Sequence, residues 1–108
     1  MKMDENQLHK RMHDPERVVR QEVAQRIDPS RLPEMMNDPS YYVRQLVAQR
    51  IDPSRLPEML NDPSYYVRLH VAMRIDPRYL PVIVLKYPYL IAMIKSRLAQ
   101  PPQIQQKP

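Results

Sequence analysis

Apolar side chains recur along this chain at helical spacing, and the whole pattern then recurs at a longer interval. With Val43 placed at zero and about 100° of rotation per residue, Val47 falls at about 40°, Ile51 at about 80° and Ala48 at about 140°, a single arc that one helix face can bury. The same residue types return at 19, 23, 27 and 24 and again at 67, 71, 75 and 72. The opposite flank varies between copies, with Leu46 standing where Glu22 and His70 stand and Gln45 where Gln21 and Leu69 stand, which predicts a solvated side. Residues 28–51 read DPSRLPEMMNDPSYYVRQLVAQRI and residues 52–75 read DPSRLPEMLNDPSYYVRLHVAMRI, two nearly identical units of 24. Weaker copies frame them, with Asp14-Pro15, Val19-Arg20, Val23-Ala24 and Arg26-Ile27 before, and Asp76-Pro77, Leu80-Pro81 and Ile83-Val84 after. A fixed period of this length predicts a stacked solenoid whose units are stable only against their neighbours.

Each unit holds two Asp-Pro pairs, at 38–39 and 52–53 in the central copy. Asp is a strong N-cap and Pro is welcome at the first helical position, where no amide donor is required, so each pair predicts a helix start. The first helix is expected from about Pro39 to Arg50. Its end is set by the next Asp-Pro, because the residue before a proline is driven out of the helical region. The second helix cannot be long, since Pro33 and Pro57 follow Pro29 and Pro53 by four residues and remove an interior donor. That predicts a 3₁₀-like turn followed by about one helical turn. The fold class is therefore all-α: a short α/3₁₀ solenoid of about three 24-residue units with N- and C-terminal caps. The unit is too short for the paired helices of HEAT or tetratricopeptide repeats.

One charged residue interrupts the apolar arc. Arg44 falls at about 100°, inside it, and Arg20 and Arg68 hold the same place in the flanking units. A guanidinium there requires a partner, and breaking a buried pair costs about 3–5 kcal/mol. Asp14, Asp38 and Asp62 stand six residues before Arg20, Arg44 and Arg68, which predicts a structural ladder in which each Arg bonds a carboxylate or loop carbonyl of its own or the next unit. A row of ligand-binding arginines is the alternative. Arg26, Arg50 and Arg74 fall at the edge of the arc, open to either surface or binding roles.

The pattern D-P-x-x-x-V-R-x-x-V-A-x-x-I-D-P-x-x-L-P-x-x-L over residues 14 to about 85 resembles the leucine-rich repeat variant, or LRV, repeat. The resemblance implies alternating α- and 3₁₀-helices in a right-handed superhelix with no β-sheet. Some members of that family carry an N-terminal iron–sulfur domain. This chain has no Cys, so no cluster is expected. The resemblance bears on fold and implies no particular activity.

The repeats are expected over residues 14–85, between an N-terminal half-repeat at 1–13 and a capping helix at 86–99, with a disordered or extended tail at 100–108. In the half-repeat Leu8 is in register with Leu32 and Met12 with Met36. Toward the other end, Asp-Pro gives way to Lys86-Tyr87 and Val-Arg to Ile91-Ala92, so the charge ladder stops. A capping unit needs a polar outer face. Between Tyr79 and Ile94, however, only Pro81, Lys86 and Pro88 interrupt the apolar run. Two accounts stand: a tight cap with Met and Leu buried on Val82 and Leu85, or a self-association or partner surface through Leu90, Ile91, Met93 and Ile94. Membrane docking is disfavoured, because Pro88 breaks the helix and only Lys86, Lys95 and Arg97 flank it.

Composition removes several chemistries. Without Cys there are no disulfides, thiolate metal sites or cysteine nucleophile, and without Gly there is no P-loop or dinucleotide fingerprint. His9 and His13 share a helical face, but no clear third ligand joins them, so no metal is expected. The carboxylates are helix caps or surface groups, and no residue qualifies as catalytic. Tyr41, Tyr42, Tyr65 and Tyr66 stand in the first turn of consecutive long helices, where the first copy has Arg17-Val18. One of each pair is expected between repeats and the other exposed. Either the tyrosines pack over the inter-repeat groove, or with Arg50 and Arg74 they form a recognition surface, since Tyr supplies broad contact area at small entropy cost. The expected function is a non-enzymatic interaction module for a protein partner or a second copy of itself, with no cofactor and no small-molecule substrate. Seventeen Lys and Arg against twelve Asp and Glu give a net charge of +5, which keeps nucleic-acid binding as the alternative through Arg17, Arg20, Arg26, Arg31, Arg44, Arg50, Arg55, Arg68, Arg74 and Arg78. No signal peptide or membrane-spanning run is seen, so a cytoplasmic location is expected by elimination.

Overall fold

A computed structural model describes residues 2–99, and the expected tail at 100–108 lies outside the described residues. Along the chain run α1 (Glu5–Lys10), α2 (Arg17–Arg26), the 3₁₀-helix η1 (Pro29–Met35), α3 (Tyr41–Arg50), η2 (Pro53–Met59), α4 (Tyr65–Arg74), η3 (Pro77–Tyr79), α5 (Leu80–Lys86), η4 (Pro88–Leu90) and α6 (Ile91–Ala99). There is no strand among the described residues, and the protein is an all-α solenoid of alternating α and 3₁₀ elements.

The two Asp-Pro pairs of a unit behave differently. Asp28, Asp52 and Asp76 cap the 3₁₀ elements, each accepting a hydrogen bond at 2.9 Å from the N–H two residues on, in Ser30, Ser54 and Arg78. A 3₁₀ path of seven residues replaces the expected turn plus helical turn. Its three-residue period sets Leu32 over Met35 on one buried line, where an α path would have turned Met35 aside. The other pair does not start a helix at Pro39. Asp38 instead accepts from the Ser40 N–H at 2.8 Å, and the Ser40 hydroxyl then caps α3 by accepting from the Tyr42 N–H at 3.2 Å. The carboxylate is needed elsewhere, so a serine takes over the capping role and the helix begins two residues late. Ser64 does the same for α4, while Glu16 precedes α2 without a side-chain cap bond. No described residue has a positive φ.

Helices α2, α3, α4 and α6 pack side by side, with the 3₁₀ elements returning the chain behind them; η1 lies on α3 and η2 on α4. The Val43, Val47, Ala48 and Ile51 arc is wholly buried, as are its counterparts Val67, Val71, Ala72 and Ile75. In α2 the arc is buried from Val23 onward, and Val19 is half-exposed at the open end of the stack. The opposite flank is not the solvated side. Leu46 is buried, and Gln21, Glu22, Gln45, Leu69 and His70 are half-buried, because a helix within a row touches a neighbour on each side. Leu8 and Met12 of the N-terminal half-repeat are buried against the first full unit.

The arginine inside the arc joins units. Arg44 donates through Nε to Asp62 Oδ2 at 2.8 Å and through Nη2 to Asp62 Oδ1 at 3.2 Å, across to the next unit. Its Nη1 donates to the Asp38 carbonyl of its own unit at 2.7 Å. Arg20 repeats this with Asp38 at 2.8 and 3.3 Å and with the Asp14 carbonyl at 2.9 Å. The Asp38 side chain retains 2% exposure and that of Asp62 7%. Bidentate pairing of this kind is the geometry in which a guanidinium is held best.

A second arginine row fastens the other end of the helices. Arg50 donates to the Ala24 and Ile27 carbonyls at 2.7 and 2.9 Å, and Arg74 to those of Ala48 and Ile51 at the same distances. These carbonyls end the preceding helix, where positive charge is favoured and acceptors lack intrahelical donors. Arg97 of α6 donates to the Ala72 carbonyl at 2.8 Å and thereby reveals the register of the final unit. It follows Arg74 by 23 residues, not 24, so one residue has been lost between Ile83 and Leu90. The expected alignment of Ile91-Ala92 with Val-Arg is off by one, and Leu90 takes the buried place of Val67. The expected single capping helix over 86–99 is a 3₁₀ turn followed by α6, because Pro88 interrupts it.

Removing the Arg44 guanidinium leaves the Asp62 carboxylate buried and unpaired. We expect Arg44→Ala to destabilise by about 3–5 kcal/mol in denaturant unfolding. Arg55→Ala, which removes an exposed pair with Glu58, should melt close to the parent protein. Equal losses in the two variants would contradict the inter-unit assignment.

Candidate functional site

The N-terminal edge of the helix row carries a continuous line of tyrosine rings. Tyr41 at the start of α3 stacks on Tyr66 of α4 with ring centroids 5.7 Å apart. Tyr66 meets Tyr65 edge-on at 5.4 Å, Tyr65 meets Tyr89 at 5.4 Å, and Tyr89 meets Tyr87 at 6.0 Å. Serine capping accounts for this placement, since Ser40 and Ser64 each set two tyrosines in the first helical turn, where side chains project past the helix end. The expectation that one tyrosine of each pair is packed away is not met. Tyr41, Tyr42, Tyr65 and Tyr66 are 40–54% exposed, and Tyr41 rests on Tyr66 across the unit boundary.

Arg68 completes the line. Its position calls for a carboxylate in the next unit, but Leu85 and Lys86 stand where Asp62 would recur and no Asp or Glu follows Asp76. The guanidinium instead donates through Nε and Nη2 to the Tyr89 hydroxyl, the former at 2.8 Å, and through Nη1 to the Asp62 carbonyl at 2.7 Å. Its central carbon lies 4.6 Å from the centre of the Tyr87 ring, a cation–π contact. The Tyr87 hydroxyl donates to Asn61 at 3.0 Å. Sequence reasoning missed Tyr87 and Tyr89. The signal was there, since Tyr89 aligns with Tyr66 once the final unit is read with a 23-residue step, and their ring contacts match.

Other expected partner-facing residues lie elsewhere. Arg50 and Arg74 are half-buried with their guanidinium groups bound to helix-end carbonyls, so they fasten units. Leu90 and Ile94 are buried in the core and Met93 is half-buried beside it. The apolar side chains that face outward at this end are Val82, Leu85, Ile91 and Leu98, so Met and Leu are not buried upon Val82 and Leu85. In the nine-residue α6 a hundred-degree step lets only one flank reach the core, and Ile94 and Arg97 occupy it, in line with Leu90 at the end of η4.

Electrostatics elsewhere favour structure. The Ser30, Ser54 and Arg78 backbone N–H groups hold the carboxyls of Asp28, Asp52 and Asp76 below their ordinary range, and the neighbouring side chains add to the effect. Glu34 and Glu58 are lowered chiefly by hydrogen bonds from Arg31 and Arg55. Burial pushes the His70 imidazole down, so it is not the solvated histidine expected. His9 lies against the Arg31 guanidinium. Among the described residues no three His, Cys, Asp or Glu side chains converge as metal ligands, and no helix is long and apolar enough to cross a membrane. A hollow of about 350 Å³ opens on the outer side of α2, lined by Met3, Gln7, Arg11, Val18, Val19 and Glu22.

A carboxyl with a lowered folded pKa stabilises above its unfolded value, and that contribution is lost as pH falls through the folded one. The three 3₁₀ caps therefore predict an acid limb in the melting profile, starting below an unfolded value of about 4. Replacing Asp28 and Asp52 by Asn keeps the caps but removes the titration, and should flatten that limb in a calorimetric pH series; an unchanged limb would assign acid unfolding to other groups.

No protein-family profile matches this chain, and no curated protein does either. It is similar to a solved structure described as a leucine-rich repeat variant with a novel repetitive protein structural motif, at 34% sequence identity and a TM-score of 0.82. The similarity covers 89% of this chain and 42% of that one, so the chain spans less than half the length of its relative. With the 24-residue period, the alternating α and 3₁₀ elements and this likeness in both sequence and structure, the chain is an LRV-like repeat protein.

Proposed function

We propose that this LRV-like chain is a non-enzymatic module that recognises another protein along its tyrosine edge. The line of exposed rings from Tyr41 to Tyr89 carries the proposal, because such rings offer large, rigid, amphipathic contact area with a phenol group at each tip. The rings already pack on one another, so binding orders little that is loose. The non-enzymatic assignment is supported by the carboxylates. Those of Asp28, Asp52 and Asp76 are held ionised by backbone donors, and those of Asp38 and Asp62 are spent on arginines, which leaves them poorly suited as general acids.

Nucleic-acid binding is the weaker reading. Its proposed carriers are largely occupied within the protein. Arg20 and Arg44 are paired with aspartates, Arg50 and Arg74 with carbonyls, Arg68 with Tyr89, and Arg26, Arg31, Arg55 and Arg78 with nearby carboxylates. Phosphate contacts would have to compete with those bonds.

A photo-crosslinking residue placed at Tyr66 in the host cell should capture a discrete protein partner, and one placed at exposed Gln25 should not. The Tyr41→Ser, Tyr65→Ser double replacement should abolish capture from Tyr66 while the melting temperature changes by only a few degrees. Equal labelling from the two positions would overturn the proposal. Fluorescence polarisation with DNA and RNA oligomers at low salt is expected to show no saturable binding; affinity that falls steeply with added salt would install nucleic acid as the ligand.

A further inference from the structure

The two outer faces of the stack are the two halves of one interior junction. Where α3 meets α4, the forward face of α3 offers Tyr41, Gln49 and the carbonyls of Ala48 and Ile51. The backward face of α4 answers with Tyr66 on the ring, His70 at 3.4 Å from Gln49, and Arg74 on the carbonyls. Counting back by two units, the corresponding backward face of α2 consists of Val18, Glu22 and Arg26. Counting on from α4 by 23 residues, the corresponding positions at the forward face of α6 are Pro88, Lys95, Ser96 and Leu98, with Ile91 one turn inward. Neither face meets a further helix of the row among the described residues.

We infer that the C-terminal face of one copy of this chain takes the N-terminal face of a second copy as its next repeat, giving head-to-tail association. The chemistry is complementary at each correspondence. Val18, 66% exposed, meets Pro88 and Ile91, both exposed and apolar, and the hollow beside Val18 has the room for the incoming side chain. Glu22 meets Ser96 and the ammonium group of Lys95, so the hydrogen-bonding pair of the interior is replaced by opposite charges. Arg26, which in the free chain bonds Glu22 at 2.6 Å, holds the place from which Arg50 and Arg74 reach helix-end carbonyls. At the end of the row α6 runs on to Ala99, two residues past the place equivalent to Arg74, so Arg26 would meet the negative end of the helix dipole at the last turn of α6. Leu98, 60% exposed, is covered in the process.

One rung is missing. Ile91 stands where Arg44 reaches toward Asp62, while Asp14, the equivalent of Asp62, is engaged by Arg11 at 3.6 Å. The junction between copies is accordingly weaker than an interior one and depends on concentration. A contact between unlike faces leaves one face of each kind open on a pair, so the same geometry admits chains longer than two. This inference uses the ends of the stack and stands apart from the tyrosine edge, so either can fail alone.

The test uses the full 108-residue chain and two surface variants, Val18→Asp and Leu98→Asp, each with circular dichroism and melting like those of the parent. In sedimentation velocity the parent should gain weight-average mass with concentration into the sub-millimolar range. Each variant alone should remain monomeric. Their equimolar mixture should form a one-to-one dimer and nothing larger, because each retains one working face. A parent that stays monomeric throughout overturns the inference. So does a Val18→Asp variant that associates alone, which would mean that like faces meet, and so does a mixture that fails to dimerise.

Discussion

The arginine six places after the Asp-Pro that precedes each long helix is the constraint on which this structure turns, because at Arg20 and Arg44 it is satisfied from two units at once. Its Nε and one terminal nitrogen take the carboxylate of the following unit, while the other terminal nitrogen takes a carbonyl of its own. A lysine lacks the planar fork that does both. The arrangement also makes the units interdependent. Asp38 has almost no contact with solvent, and its charge is tolerable only while Arg20 of the preceding unit is in place. Such a unit gains little by folding alone, which is the physical meaning of a repeat that is stable only in a stack. The second arginine row ties the opposite end of each helix, so adjacent helices are fastened near both ends with an apolar stripe between.

This division of labour shapes the surface. The chain carries a net charge of +5, yet its arginines are mostly turned inward or sideways. Those bound to backbone carbonyls keep their formal charge but have surrendered donors. What remains for recognition is the edge where serine caps release pairs of tyrosines, and the two ends of the row. Arg68 links the interior ladder to that edge. With no aspartate in the last unit to meet it, it bonds a phenol and lies over a ring, so the final step of the ladder is aromatic.

Much of the architecture was legible because it is written redundantly. Val43, Val47, Ala48 and Ile51 recur at fixed places in three helices, and a periodic pattern repeated three times leaves little doubt about which face is buried. Arg44 was legible as structural for the same reason, since a charge inside an apolar arc demands a partner. The direction in which a helix flank looks was not. Leu46 and His70 vary between copies, which suggests solvent, but helices in a row have neighbours on both sides, and variation there reflects packing against unlike neighbours. Arg50 and Arg74 were ambiguous because their acceptors are backbone carbonyls, which leave no mark in a sequence. The last unit misled for a third reason. A one-residue deletion moves each later residue by about 100° around its helix, so Leu90 and Ile94 were placed outward although they fill the core.

A chain of 108 residues that chains together turns without a single glycine, and in which no described residue has a positive φ, has an advantage before it folds. Thirteen prolines, several of them in the Asp-Pro turns, restrict the denatured ensemble at positions whose native conformation they already fit. Folding therefore surrenders less chain entropy than it would in a loop-rich domain of equal size. For so small a core, part of the stability resides in what the denatured chain is unable to do.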